Sequence, residues 1–249
     1  MSATLPTLLI IDMQKGMADP AAGPRNNPNA ELNIASLLSA WRKAGGTVVF
    51  VRHISRSVGS PFWPGQPGVE FQEQLAPLAS EHVVEKNVPD ALINTGLERW
   101  LRVRGINQLV IVGVSTNNSV EATARTAGNL GFQTQVVADA TFAFDKVDYN
   151  GTKRTADEVH AMALANLDGE YAAITTTKRL LDMGTPSITT MASGELSLLI
   201  TEDVSWDSFP EQAQRRGSLS SPCAGANGHA GGAHVGRGDR GPVVLAHLR

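Results

Sequence analysis

Residues 108–125 read QLVIVGVSTNNSVEATAR, and this stretch decides the fold. Gln108 to Val112 is a short aliphatic run rich in β-branched residues, the composition of a buried strand. Gly113-Val114-Ser115-Thr116-Asn117-Asn118-Ser119 is a turn of small and polar residues. Val120-Glu121-Ala122-Thr123-Ala124-Arg125 then has helical composition. A strand that runs through a small-residue turn straight into a helix is half of a βαβ unit. Working outward, Thr7 to Ile11, Thr47 to Arg52 and Thr134 to Val137 repeat the strand pattern. Ile34, Leu37, Leu38 and Trp41 form one helical stripe, and Leu97, Trp100 and Leu101 another. A further helix is predicted from Ala156 to Leu167, then a strand near Ala172 to Ile174 and a last helix ending near Leu181. The alternation predicts an α/β fold: a three-layer, doubly wound, mostly parallel sheet with helices on both faces.

The chain has 249 residues, 42% of them hydrophobic, which is ample for a core. A formal charge of −3 gives no field suited to a phosphate backbone or an anionic bilayer, so neither nucleic acid nor membrane is expected as a partner. Leu8-Leu9-Ile10-Ile11 is too short for a span and has no basic lead-in, so no signal peptide is read. The single cysteine, Cys223, permits no intrachain disulfide, and a cytoplasmic setting is expected. Texture changes after Met183. Gly184-Thr185-Pro186 punctuates, Ser187 to Ile200 is weakly strand-like, and from Arg215 onward Gly, Ser, Ala, His and Arg dominate without period. Two regions are therefore expected: a domain over 1–183 and a largely disordered extension over 184–249. The basic, His-containing stretch His229 to Arg240 reads as solvated tail rather than as a metal or nucleic-acid element.

Ligands of open parallel sheets bind outside the carboxyl ends of the strands. Asp12 ends the first strand in Leu9-Ile10-Ile11-Asp12-Met13-Gln14, where a carboxylate is either a loop anchor or functional. Lys86, in Val83-Val84-Glu85-Lys86-Asn87, again follows an apolar run. Judged alone it reads as a solvated lysine beside Glu85. Ser119 reads as an N-cap or as a nucleophile beside backbone N–H donors. No G-x-G-x-x-G follows a strand and no G-x-x-x-x-G-K-[ST] occurs, so no nucleotide cofactor is expected. G-x-S-x-G is absent too, which argues against an α/β-hydrolase elbow.

Together, Asp12-x-Gln14 after an apolar strand, Val83-Val84-x-Lys86, and Gly113-Val114-x-Thr116-Asn117-x-Ser119-Val120-Glu121-x-Thr123-Ala124-Arg125 resemble the isochorismatase-like hydrolases, also called the cysteine hydrolase family. The resemblance runs from about Thr7 to Leu181. Gly128-Asn129-Leu130-Gly131-Phe132, Val137-Ala138-Asp139-Ala140 and His160-Ala161-Met162 look closest to the amidohydrolase branch near streptothricin hydrolase-like proteins. The resemblance implies a Rossmann-type fold and hydrolysis of a small amide, lactam or ureide C–N bond by an Asp–Lys–Cys triad, which falls by motif position on Asp12, Lys86 and Ser119. It also implies an oxyanion hole from the Ser115 and Ser119 N–H groups, a cis Val114–Ser115 peptide and a homodimer or homotetramer.

Serine in place of the family's cysteine is a departure. A thiol has a reference pKa near 8.5 and ionises readily beside a lysine, whereas a hydroxyl needs a strong base at the moment of attack. Three readings stay open: a natural serine nucleophile, a Cys-to-Ser change that traps substrate, or chemistry without a covalent step. True isochorismatases lack the cysteine and cleave a vinyl ether with the aspartate as general acid. A non-catalytic binder of a small ligand is a further alternative. Related nicotinamidases carry an Asp-x-His metal pair, and the corresponding Val51-Arg52-His53-Ile54 has none, so no metal is expected. His53 is a candidate for substrate contact or for satisfying a loop carbonyl. Phe62 and Trp63 are candidates for lining a planar-substrate pocket or for loop packing, and Gln14 and Phe144 are weaker pocket candidates. Arg125, Asp139, Glu158 and His160 read as helix anchors or subunit contacts as readily as catalytic groups.

Overall fold

The computed structural model describes residues 5–183. The 184–249 extension, with its weakly strand-like and His-containing stretches, lies outside the described residues. The elements run β1 (Thr7–Ile11), α1 (Ala30–Lys43), β2 (Val48–His53), β3 (His82–Lys86), α2 (Leu97–Arg102), β4 (Gln108–Val114), α3 (Glu121–Asn129), β5 (Gln133–Phe142), β6 (Lys146–Val147), β7 (Lys153–Arg154), α4 (Ala156–Leu167), β8 (Ala173–Thr175) and α5 (Thr177–Met183). Six strands make one sheet in the order β3-β2-β1-β4-β5-β8, parallel throughout. The doubly wound parallel α/β architecture is the one the sequence predicts.

Why the strands pack this way follows from the two-residue period. All five residues of β1 are buried, and they divide by parity. Leu8 and Ile10 face the layer that contains α1 and α5, with Ile34, Leu37, Leu38, Trp41 and Leu180. Leu9 and Ile11 face the layer of α2, α3 and α4, with Leu97, Leu101, Ala124, Ala127 and Leu167. A strand apolar on both faces can sit only in the middle of three layers. Trp41 also donates from Nε1 to the Pro6 carbonyl at 2.7 Å, which ties α1 to the start of β1. Small residues let α3 lie close to its neighbours. At Gly128 an added Cβ would stand 2.5 Å from the Tyr171 carbonyl oxygen.

Two departures from the expected elements shape the site. β3 is a strand that includes Lys86, not a short run that precedes it. Val83 and Glu85 are exposed while Val84 and Lys86 are buried, the alternation of a half-covered edge strand. β5 is far longer than Thr134 to Val137, and its register against β4 jumps from Ile111↔Val136 to Gly113↔Thr141. The extra residues around Ala138 and Asp139 bulge out of the ladder. Among the described residues no helix is long and apolar enough to cross a membrane.

Candidate active site

The carboxyl ends of β1, β3 and β4 converge on one buried cluster. Asp12 follows β1 directly, with φ of 54°, its N–H held by the Val51 carbonyl at 2.9 Å. Lys86 ends β3 in register with His53 of β2. β2 lies between β3 and β1, so Lys86 must reach across roughly 10 Å of sheet, two strand spacings, and a lysine side chain has the length for it. Its Nζ donates to Asp12 Oδ2 at 2.7 Å and to Ser119 Oγ at 3.2 Å. Asp12, Lys86 and Ser119 are 1%, 3% and 5% exposed, so the three polar groups meet out of bulk water. Asp12 Oδ1 is buried with no hydrogen-bond partner.

β4 delivers the third group through a specific piece of backbone. Gly113 has φ of +120°, and a Cβ there would lie 2.1 Å from the Ile11 carbonyl oxygen, so only glycine lets β4 pass this close to β1. The Val114–Ser115 peptide bond is cis. Thr116–Val120 then forms one π-helical turn before α3 begins. Ser119 is therefore inside that turn, not the N-cap of α3. The amides of Asn118 and Val120 both donate to the Ser115 carbonyl, at 3.0 and 3.2 Å, closing Ser115 and Ser119 into one compact loop.

The remaining sequence-derived candidates divide by what their side chains touch. Gln14 is fully buried. Its Nε2 donates to the His53 and Val69 carbonyls at 3.0 and 2.9 Å, and its Oε1 accepts from the His53 amide at 2.8 Å. That side chain is spent on joining β2 to the 69-loop, which leaves it no free polar group for a ligand. Phe62 is 1% exposed and belongs to the core. It stands edge-on to the His53 ring at 6.0 Å, so it builds the wall behind His53. Trp63 and Phe144 are half-buried, the latter edge-on to Phe142 at 5.7 Å. His53 is 8% exposed and sits beside Lys86 in the sheet.

The ambiguous charged residues are helix anchors. Asp139 Oδ1 accepts from the Thr177 amide and hydroxyl at the start of α5, at 2.8 and 2.9 Å. Glu158 closes a capping box with Thr155 at the start of α4. Arg125 pairs with Glu121 one turn back and lies over the Tyr171 ring. His160 is different: its Nδ1 lies 2.8 Å from Thr116 Oγ1, in the turn that carries Ser119. Sequence reasoning did not connect these two, nor Asn27, whose amide reaches the same ring. Among the described residues no three His, Cys, Asp or Glu side chains are grouped so as to hold a metal.

A carboxylate, an ammonium and a hydroxyl are thus packed together at the carboxyl edge of a parallel sheet, the edge where ligands of such folds bind. The profile of the Isochorismatase domain matches residues 6–179, and the chain belongs to the isochorismatase family of hydrolases. An isochorismatase family protein of Bacillus subtilis is 39% identical over 175 residues, 70% of this chain and 94% of its own length. Streptothricin hydrolase of Streptomyces noursei is 32% identical over 138 residues, covering 55% of this chain and half of its own. A crystal structure of an isochorismatase-family protein from Chromobacterium violaceum is 49% identical, covers 74% of this chain and 95% of its own, and superposes with a TM-score of 0.72.

Proposed function

We propose that this chain hydrolyses a small amide, lactam or ureide C–N bond, with Ser119 as nucleophile, Asp12 as base and Lys86 as the charge that holds the two together. The observation that carries this reading is the Lys86 ammonium donating at once to Asp12 and to Ser119 in a buried setting. Asp12 takes the Ser119 hydroxyl proton as Oγ attacks the substrate carbonyl. The oxyanion is met by the Ser115 and Ser119 N–H groups. Collapse expels the amine, which leaves with the proton from Asp12, and water then hydrolyses the acyl ester. The ammonium beside both partners lowers the cost of each negative charge as it forms. His53, Trp63 and Phe144 are the pocket residues retained for substrate contact. Relatives named streptothricin hydrolase and maleamate amidohydrolase support the choice of a C–N bond.

A second reading is favoured by one pair of facts. The nucleophile position holds a hydroxyl instead of a thiol, and Asp12 Oδ1 is unpartnered, free to carry a proton for a vinyl-ether oxygen as general acid. Ammonia or amine release from a panel of amides, lactams and ureides separates the two, run on this chain, Ser119→Cys and Ser119→Ala. Release by this chain, lost in Ser119→Ala, supports the serine nucleophile. Release by Ser119→Cys alone means an amidohydrolase scaffold slowed at its nucleophile. Silence in both, with turnover of a vinyl ether that survives Ser119→Ala, moves the assignment to the second reading. Ligand binding without any turnover would leave a binding protein.

A further inference from the structure

The turn that carries Ser115 and Ser119 is held from behind by side chains that the Asp12–Lys86 pair does not touch. Thr116, the first residue of the π-helical turn, is fully buried. Its Oγ1 lies 2.8 Å from Nδ1 of His160, on α4. The other ring nitrogen, Nε2, lies 3.5 Å from Asn27 Nδ2. Both amide protons of Asn27 are already committed, to the carbonyls of Ala138 at 2.8 Å and Thr141 at 2.6 Å on the β5 bulge.

The Ala138 carbonyl that Asn27 holds also bears on the ring and favours its protonated form, against the burial that disfavours it more strongly. Burial keeps the ring neutral by holding its pKa below the ordinary value. A hydroxyl both donates and accepts, so Nδ1 of the neutral ring and the Thr116 hydroxyl share one hydrogen bond in either tautomer. Asp157, one turn back on α4, is the charged side chain whose field reaches the ring.

We propose that His160 is a positioning residue: set beside the β5 bulge next to Asn27, its Nδ1 shares a hydrogen bond with the Thr116 hydroxyl and so sets the turn where Ser119 Oγ meets Lys86. The inference rests on the reading of residue 119 as the nucleophile. It gives a function to the bulge, whose carbonyls hold Asn27 against the ring. It also separates two replacements of similar size. Asn at 160 puts its amide near the place of Nδ1 and keeps a hydrogen-bond partner for Thr116. Gln puts its amide near the place of Nε2, keeping the contact with Asn27 and losing that partner.

The test uses the full chain carrying Ser119→Cys and Cys223→Ser, so that the thiol at 119 is the only one, and follows iodoacetamide alkylation across pH. The parent should titrate below the ordinary thiol value of about 8.5. His160→Gln and Thr116→Val should slow alkylation at pH 7 by about tenfold, the weight of one lost hydrogen bond, and move the midpoint upward. His160→Asn and Thr116→Ser should stay within about threefold of the parent. Combining Thr116→Val with His160→Gln should cost no more than either alone. The inference is overturned if His160→Gln is harmless while His160→Asn is not, which would make the ring only a contact for Asn27. It is equally overturned if none of the four changes the profile of an activated thiol. A parent midpoint near 8.5 would instead remove the nucleophile reading, and the inference with it. Thr116→Val keeps the shape of the side chain and carries the test should a His160 variant fail to fold.

Discussion

Two lysine–aspartate pairs in this molecule are made of the same side chains and differ in their surroundings. Lys178 and Asp182 pair one turn apart on α5, with 83% and 63% of their side chains exposed. Lys86 and Asp12 pair across the sheet, 74 residues apart in sequence, with 0% and 1% exposed. In water the first pair gains little, because solvent screens the charges and two long side chains lose freedom. Out of water the second pair is held by desolvation: neither charge can be left alone without a cost of several kcal/mol. The surface pair is dispensable, while the buried pair requires both members, and a third group bound to Lys86 shares its environment.

That contrast can be broken most forcefully at Lys86. Lys86→Met should abolish turnover, by about a thousandfold or more, and cost about 3–5 kcal/mol in denaturant unfolding, because Asp12 is left charged and buried. Adding Asp12→Asn should recover part of that stability and none of the activity. Gly113→Ala comes next. Its Cβ would collide with the Ile11 backbone at a φ that suits glycine, so a loss of at least about 2 kcal/mol is expected by the same unfolding measurement.

The third prediction concerns acid. Burial depresses the His160 pKa, so the unfolded chain takes up a proton that the folded chain refuses. Stability linked to this group is complete above the unfolded value of about 6.5 and is lost as pH falls below it towards the folded value. Unfolding midpoints measured at pH 7.5 and 5.5 should fall with acid in this chain and fall less in His160→Asn. Smallest of all, Lys178→Ala should change stability by no more than about 0.5 kcal/mol. A larger loss there would mean that burial is not what separates the two pairs.

The same physics decides what could be read from the sequence. β1, β2, β4 and the first part of β5 are legible because strands buried on both faces are near-continuous apolar runs. β3 is an edge strand with Val83 and Glu85 outside, so its pattern is broken and Lys86 reads as a surface lysine until the strand turns it inward. Asp12 and Ser119 are visible by their places at strand ends, and the family motif joins them to Lys86. Gln14 looks like a pocket residue for the same positional reason, yet its amide is consumed by backbone groups of His53 and Val69, a tertiary fact with no local signal. The link from Thr116 to His160 spans 44 residues and that from His160 to Asn27 spans 133. No periodicity connects such positions. The two-residue strands β6 and β7 are too short to carry a hydrophobic pattern at all.

The central claim is that position 119 attacks the substrate from a cluster organised by Lys86. The most direct measurement is peptide mass mapping of acid-quenched reactions of Ser119→Cys with an amide substrate found in the release panel. The account predicts an acyl adduct on residue 119 that forms within a turnover and is absent when Lys86 is Met. Amide turnover with no adduct at 119, or an adduct that forms equally well without Lys86, would contradict it.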